Sequence, residues 1–267
     1  LKNRSSYNST LIKKDEAAIL SFLKNDGYYF SNVTSSYQDL GDNKIELLYQ
    51  IDLGEKSKIS KISFVGDKKF KDSTLRNIII SEEYKFWKFL SGKKYLNENL
   101  INFDKRLLNN FYKNKGFFNV IINSSFANYL GDDKFEIIYN ISSGDKFYFN
   151  EFYLNLPIDY ERANFQQLDK IFKELKGENY SLNSIDKILK EIDKIILNKQ
   201  FEFLKSTVKE NIENNLINLT FEIGESEKFY VEKINILGNN ITREEVIRNN
   251  FMVDEGDAFN ELLQTRT

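Results

Sequence analysis

A long-period internal repeat limits the fold of this chain more than any other feature. Three stretches share one pattern: an alternating strand, a short polar joint and a second alternating strand. They begin with KIELLYQIDLGEK (44–56), KFEIIYNISSGDK (134–146) and LINLTFEIGESEK (216–228). The joints, at Gly54, Gly144 and Ser226, recur roughly every 80–90 residues, a period that indicates whole small domains in tandem rather than a solenoid of short repeats.

The clearest copy predicts the order strand, helix, helix, strand, strand. The predicted elements are strand 58–65, helices 72–80 and 98–115, and strands 118–126 and 134–142. Asp72 is the expected cap of the first helix, and Gly131-Asp132-Asp133 is a turn signal between the last two strands. Three strands covered on one face by two helices predict an α+β fold, repeated along an elongated array.

The second helix of each unit ends in a recurring phrase, FLKNDGYYFSNV (22–33) in one copy and FYKNKGFFNVII (111–122) in the next. Gly27 and Gly116 occupy the same place, which predicts a left-handed glycine that terminates the helix. A third copy, IILNKQFEFLKSTV (195–208), has Gln200 at this place. We therefore expect the chain to leave that helix differently.

The stretch FYVEKINILGNN (229–240) opens a further unit. Its alternation predicts a strand, and Thr242 and Glu245 form a predicted capping box at the start of a short helix. By this count, we expect the chain to begin inside the second helix of one unit, to contain two whole units, and to stop within the first helix of another.

Composition excludes several classes of function. Lys and Arg number 38 against 40 Asp and Glu, so the net charge of −2 gives no electrostatic case for binding nucleic acid. The chain has no Cys and no His, which removes thiolate nucleophiles, zinc–thiolate sites and the commonest general base. The carboxylate pairs fall in predicted loops, turns and helix starts, and no phosphate-binding glycine loop is present. We expect no enzymatic activity, no cofactor, no metal and no helix long enough to cross a membrane.

The repeat resembles POTRA domains, the periplasmic modules that precede the membrane β-barrel in the outer-membrane protein insertase family. The resemblance is carried by KISKISFVGDKKFKDSTLR (58–76), LLNNFYKNKGFFNVII (107–122), IIYNISSGDKFYF (137–149) and KFYVEKINILGNNITREEVIRNNF (228–251). It implies that residues 1–54 form the C-terminal part of a second POTRA domain, 55–145 the third, 146–226 the fourth and 227–267 the N-terminal part of the fifth. It is weakest in the fourth, where Gln200 and Ser226 replace the expected glycines.

The resemblance also implies a function. The chain is expected to lie in the periplasm as part of an outer-membrane protein, followed by its own membrane β-barrel. It would dock accessory lipoproteins of the insertase complex, with a lipoprotein of the BamD type at the fifth domain, and guide unfolded β-barrel chains to insertion. A secretion or translocation pore that recognises one exported protein is the alternative. A structural spacer without a ligand is a further alternative.

The first candidate site is an edge strand. In the family, the middle strand of each domain in sequence order lies at a sheet edge, which here corresponds to 118–126 and 201–210. An exposed edge binds extended peptides through main-chain hydrogen bonds that tolerate many sequences. The uncharged stretch within the first segment singles out Val120, Ile121, Ile122, Asn123 and Ser124. The competing interpretation is that these residues only pack beneath the helices.

Two further candidates concern partner proteins. Phe86 and Trp87 lie in an aromatic loop and form a candidate anchor, because aromatic side chains are enriched in interface hot spots; the alternative is a loop that covers the sheet or a domain joint. Arg248 and Glu255 align with family positions on the face that docks the BamD-type lipoprotein. Without the resemblance, Glu255 is interpreted as a turn residue. The polar joints at 52–58, 142–147 and 224–229 suggest limited hinge motion, with rigid packing as the alternative.

Overall fold

A computed structural model describes residues 6–85, 92–158, 160–198, 204–225, 229–238, 242–251 and 253–257. The chain divides into two compact units. Unit 1 comprises Leu1–Tyr112 and Asn119–Gly144, and unit 2 comprises Lys113–Phe118 and Asp145–Thr267. Residues 113–118 are thus grouped with unit 2, although the residues that follow them directly in sequence, 119–144, belong to unit 1.

Unit 1 contains a helix with a two-stranded hairpin, followed by a complete α+β layer. Its elements are α1 (Ser9–Asn25), β1 (Asn32–Gly41), β2 (Lys44–Asp52), β3 (Lys58–Asp67), α2 (Asp72–Arg76), α3 (Glu98–Lys113), β4 (Ile121–Gly131) and β5 (Lys134–Ser142). β1 pairs with β2 antiparallel. In the three-stranded sheet the order is β3-β5-β4, with β5 parallel to β3 and antiparallel to β4.

The core of this layer lies between the sheet and the helices. Every second residue of β5 is buried, and so is every third or fourth residue of α3, which is helical spacing. The fully buried α3 face includes one carboxylate, Asp104. It accepts hydrogen bonds from the Ile80 backbone N–H (2.7 Å), the Tyr139 hydroxyl (2.8 Å) and the Ser81 N–H (3.3 Å). These bonds join α3 to the central strand and to the segment that follows α2.

Unit 2 repeats the layer and has an apolar residue at the place of Asp104. Its elements are β6 (Tyr148–Asn155), α4 (Gln167–Leu175), α5 (Leu182–Asn198), β7 (Leu204–Glu213), β8 (Leu216–Glu225) and α6 (Glu244–Arg248). The sheet order is β6-β8-β7, with the same parallel and antiparallel pairings. Buried positions of α3 recur on α5 at a constant offset: Ile101, Asp104, Leu108 and Tyr112 correspond to Ile185, Ile188, Ile192 and Ile196. Thus Ile188 occupies the place of Asp104, and Phe221 that of Tyr139.

The α+β class and its tandem arrangement are confirmed, whereas four local predictions are wrong. α2 ends at Arg76 rather than near residue 80, because Asp104 takes the Ile80 N–H that a longer helix would use. Its N-cap is Lys71 rather than Asp72, which instead pairs with Lys68. The N-cap of α6 is Arg243 rather than Thr242, and the Arg243 side chain makes no cap bond.

The predicted strand at 229–236 is the fourth error. The described part of this segment forms no named strand, and Val231 exchanges two backbone hydrogen bonds with the segment at Gly256 and Asp257 (2.7 and 2.8 Å). Alternation alone does not produce a strand, because a ladder requires a partner along its length. Within the described ranges, no helix has the length and apolarity needed to cross a membrane.

Candidate functional sites at the sheet edges

The predicted edge residues lie where β4 begins. Val120 precedes the strand and is buried, while Ile121, the first residue of β4, is 56% exposed. Ile122 is buried and Asn123 is exposed, so successive side chains alternate between the helix-covered face and the open face. Ser124 also belongs to β4. β4 pairs only on one side, because it stands at the end of the sheet order.

A β-bulge interrupts this edge. Asn123 pairs with Asn140 and Phe126 pairs with Ile138, so three steps on β4 match two on β5. A bulge bends an edge strand and limits uncontrolled pairing with other chains. The sequence does not predict it, because a bulge arises from the register between two strands.

The corresponding edge of unit 2 is built differently. β7 pairs with β8 without any register shift, from Leu204 opposite Glu225 to Glu213 opposite Leu216. It carries exposed charges at Lys205 and Lys209, and charged side chains are the other common protection of an edge strand. Each edge therefore has one protective device: a bulge on the uncharged strand, and charges on the regular strand.

A groove of about 650 Å³ lies alongside β4. It is lined by Asn99, Asn102, Lys105, Arg106, Asn109 and Ile122. The first five belong to α3, whose apolar face packs in the core, so the polar side of the helix forms one wall. The Asn109 amide donates to the Val120 carbonyl at 3.4 Å, which joins the helix to the chain just before β4.

The opposite edge of the same sheet is covered by the chain itself. On β3, the Ile62 carbonyl accepts from Arg76 Nη2 (2.8 Å), and the Ile62 N–H donates to Glu83 Oε1 (3.0 Å). Arg76 and Glu83 also pair with each other. One step further along, the Tyr84 N–H donates to the Ile59 carbonyl at 2.6 Å. We call the trio of Arg76, Glu83 and Ile62 the Arg–Glu clamp of β3.

The same clamp recurs at Arg248 and Glu255. The Ile234 carbonyl accepts from Arg248 Nη2 (2.8 Å), the Ile234 N–H donates to Glu255 Oε1 (2.9 Å), and Arg248 Nη1 lies 3.2 Å from Glu255 Oε1. These two residues, predicted as a docking pair, are thus brought together with the backbone of their own domain. The sequence analysis did not identify the first clamp, at Arg76 and Glu83, although aligning residues 58–83 with 230–255 places Arg opposite Arg and Glu opposite Glu.

The charges of the second clamp are mutually stabilised. The Ile234 N–H, followed by the Arg248 guanidinium, holds the pKa of Glu255 below its ordinary value. The pKa of Arg248 is raised by its hydrogen bond to Glu244 and, to a smaller extent, by Glu255. Both groups are therefore charged at neutral pH, and this face of the domain presents a fixed arrangement of one cation and two carboxylates.

The candidate anchor residues Phe86 and Trp87 lie outside the described residues. An aromatic cluster that sequence reasoning missed occurs elsewhere in unit 1. Phe30 packs edge-on against Tyr129 (ring centroids 5.1 Å apart) and stacks on Phe135 (5.8 Å), while Tyr29 contacts Phe135 at 5.3 Å. The cluster joins the exit of α1 to the β4–β5 hairpin. Its signal in the sequence is the run of aromatics directly after Gly27.

Gly27 and Gly116 terminate their helices as predicted and make equivalent contacts. Gly27 has φ +98° and Gly116 has φ +96°, and the Tyr28 N–H bonds back to the Leu23 carbonyl (2.9 Å) in the manner of a Schellman motif. The Gly27 carbonyl then accepts from the Ser57 N–H (2.8 Å). In unit 2, the Gly116 carbonyl accepts from the Phe147 N–H at the same distance.

Each of these joints continues into the next strand. The Ser57 carbonyl accepts from the Leu96 N–H, and the Phe147 carbonyl accepts from the Tyr180 N–H, both at 2.9 Å. At the joints predicted at 52–58 and 142–147, a chain of backbone hydrogen bonds therefore connects helix end, strand start and the following loop. Residues 226–228 of the third predicted joint lie outside the described residues.

A metal site has no support from the geometry. Across the part of the chain that the structure describes, no group of three acidic side chains is placed to hold a metal ion. The carboxylates singled out in the sequence have structural surroundings: Glu83 and Glu244 pair with arginines, and Asp132 and Asp133 form the hairpin turn with φ +49° and +53°.

Comparison with known proteins agrees with this architecture. The POTRA family, described as surface antigen variable number repeat, matches residues 1–54 and 57–144. The outer membrane protein assembly factor BamA of Buchnera aphidicola is 25% identical over 226 residues, which is 82% of this chain and 36% of that protein. BamA of Neisseria meningitidis serogroup B is 25% identical over 219 residues, which is 81% of this chain and 27% of that protein.

The fold is similar to that of a solved fragment. The crystal structure of POTRA domains 3–5 of Haemophilus influenzae BamA matches with a TM-score of 0.50 at 12% sequence identity, and the match covers 84% of each chain. This chain spans about a third of the length of the curated relatives it matches. Because the family match covers more than half of its residues, the chain belongs to the POTRA family.

Proposed function

We propose that this chain is a periplasmic POTRA module of an outer-membrane protein assembly factor, and that it acts as a scaffold and a chaperone-like binder without catalysis. The names of its relatives support this proposal over the secretion-pore alternative, because they are called outer membrane protein assembly factors. In this proposal residues 55–145 and 146–226 are two whole domains, 1–54 and 227–267 are parts of two others, and a membrane β-barrel follows in the parent protein.

The binding function is supported by one observation: in the described part of unit 1, one edge of the three-stranded sheet is covered by the chain itself and the other is not. The outer edge of β3 is occupied by the Arg–Glu clamp and by Tyr84, whereas β4 borders an open groove. An extended polypeptide that pairs with β4 gains main-chain hydrogen bonds, which depend little on sequence. That property suits a module that guides many different unfolded β-barrel chains.

Docking of accessory lipoproteins belongs to the same proposal. The second clamp at Arg248 and Glu255 fixes a charged face, and charged faces contribute orientation and specificity in protein association. We assign to this face a lipoprotein of the BamD type. Glu255 also accepts a hydrogen bond from the Ile234 N–H. Replacing Glu255 would therefore disturb the docking face itself as well as any charge pair with the lipoprotein.

The edge proposal is tested with a labelled nonapeptide that copies a membrane β-strand. Ile121→Lys places a charge on the open edge, and Val65→Lys is the matched control, because Val65 is an exposed apolar residue (42%) on the clamped strand β3. Loss of a cross-strand apolar contact costs up to about 1 kcal/mol, which corresponds to an affinity reduced by up to about fivefold. Fluorescence polarisation should show this reduction for Ile121→Lys and no reduction for Val65→Lys. Methylation of alternate peptide nitrogens should abolish binding. Equal affinity of the methylated peptide would contradict main-chain pairing.

A further inference from the structure

The groove beside β4 is positively charged. Two of its six lining residues, Lys105 and Arg106, are cations, three are asparagines, and none is acidic. Lys105 is half-buried, which strengthens its field relative to a fully solvated lysine. Ion pairs between described side chains include neither of these two cations. The net charge of the chain is −2, so this local excess of positive charge is a property of the groove.

The groove wall is also ordered before anything binds. The Arg106 guanidinium lies over the Phe103 ring, 5.2 Å from its centroid, a cation–π arrangement that restricts the arginine. Asn109 is fixed at the other end by its bond to the Val120 carbonyl. Asn99 and Asn102 add amide groups that both donate and accept hydrogen bonds. The wall therefore favours polar, negatively charged groups over apolar side chains.

Unit 2 lacks this chemistry at the matching positions. With the offset that superposes the buried faces of the two helices, α5 has Asp186, Leu189, Lys190 and Asp193 where α3 has Asn102, Lys105, Arg106 and Asn109. The remaining cation is neutralised, because Lys190 pairs with Asp186 at 2.7 Å. Asp193 accepts from the Ser206 hydroxyl of β7 (2.8 Å). The positive groove is thus specific to unit 1, on a wall whose buried face is shared.

The open face of the same edge carries an exposed apolar residue, Ile121. Ile121 projects away from the groove and is 56% exposed, whereas its neighbour Ile122 lines the groove. A strand added beside β4 would present alternate side chains to these two environments. Strands of membrane β-barrels alternate between polar and apolar residues in the same way.

We propose that the groove selects an extended polypeptide segment whose groove-facing side chains carry carboxylates and whose alternate side chains are apolar. Lys105 and Arg106 pair with the carboxylates, the asparagines bond to neighbouring polar groups, and Ile121 contacts the apolar side. This inference rests on the proposed pairing with β4 and adds a charge requirement to it.

The test uses the whole chain and three amidated nonapeptides in which valine alternates with glutamate, glutamine or lysine. An exposed ion pair contributes about 0.2–1 kcal/mol, so each carboxylate should raise affinity on the order of threefold over glutamine, and the lysine peptide should bind weakest. The double variant Lys105→Gln/Arg106→Gln should bind the glutamate and glutamine peptides equally. Lys190→Gln, at the matching place of unit 2, should leave the preference intact. The preference should also shrink as salt rises.

The outcomes separate this inference from the pairing itself. Equal binding of all three peptides, still weakened by Ile121→Lys, would overturn the charge requirement and leave edge pairing in place. A second outcome would overturn both the charge requirement and the pairing. In it, binding of the glutamate peptide depends on Lys105 and Arg106 but is unaffected by Ile121→Lys and by methylation of the peptide nitrogens. Sedimentation with vesicles of anionic lipid is the last control. If the double variant loses vesicle binding without any change in peptide preference, the cations serve a membrane surface and the inference fails.

Discussion

Replacing Asp104 by isoleucine converts a buried polar contact of unit 1 into the residue that unit 2 uses at the same place. Asp104 is fully buried and accepts two short hydrogen bonds, from the Ile80 N–H (2.7 Å) and the Tyr139 hydroxyl (2.8 Å). Unit 2 has Ile188 and Phe221 at these positions, and both are fully buried. The two units thus offer a polar and an apolar solution to one site in the same fold.

The expected cost follows from the groups left without partners. Asp104→Ile removes the acceptor of three donors: the Ile80 N–H, the buried Ser81 N–H and the buried Tyr139 hydroxyl. Each unsatisfied buried donor costs about 1–3 kcal/mol, so we expect a loss of at least about 3 kcal/mol after the gain from the added apolar side chain. Tyr139→Phe alone removes one bond to a carboxylate, worth about 1.5 kcal/mol. In the double variant the hydroxyl no longer needs a partner, so the loss should fall short of the sum by about 1–2 kcal/mol.

Urea unfolding measures these free energies. Trp87 is the only tryptophan in the chain and lies between α2 and α3 in sequence, so its fluorescence is the natural probe of unit 1. Ile188→Val in unit 2 is a control that should not move this transition. A loss below about 1 kcal/mol for Asp104→Ile, or additivity within about 0.5 kcal/mol, would refute the reasoning, because the buried groups would then have found other partners.

Two more predictions concern the clamp at Glu255. Glu255→Lys should release the Ile234 N–H and weaken lipoprotein docking. Glu83→Lys is the control: it opens the matching clamp in unit 1 and should leave docking unchanged. Co-purification with the lipoprotein measures both, and equal losses of docking would exclude a specific role for Glu255. The lowered pKa of Glu255 means that its contribution is present above the ordinary glutamate pKa of 4.5 and is lost as pH falls through the lowered value. The protection factor of the Ile234 amide, which is its exchange rate relative to that of an unstructured peptide at the same pH, should therefore fall as the solution is acidified below pH 4.5, and a constant protection factor would contradict this.

Much of the fold was accessible from the sequence because the repeat supplies the same information several times. Helical spacing predicted α3 over 98–115, close to the observed Glu98–Lys113, and the turn signal placed the hairpin at Asp132 and Asp133. The errors lie where a residue's partner is distant in sequence. α2 is shortened by Asp104, and the strand expected at 229–236 has no ladder to join.

The candidate sites were harder to predict for the same reason. The edge position of β4 followed from the family resemblance, but its bulge depends on pairing with β5. The clamp at Arg76 and Glu83 joins a helix, a loop and a strand edge, so no local pattern marks it. Lys105 and Arg106 look like ordinary surface charges on an amphipathic helix until the groove beside β4 becomes visible.

The repeated units separate what the fold requires from what binding requires. Positions on the buried faces of α3 and α5 keep their apolar character apart from the Asp104 site, because both helices must pack on a sheet of the same topology. The groove-facing positions differ more widely: Lys105 corresponds to Leu189, which packs against the core of unit 2, and Asn109 corresponds to Asp193. Under the proposed pairing, two equivalent edges with different walls would favour different peptide segments. On this argument, exchanging the groove-facing residues of α3 and α5 should transfer the charge preference between the units.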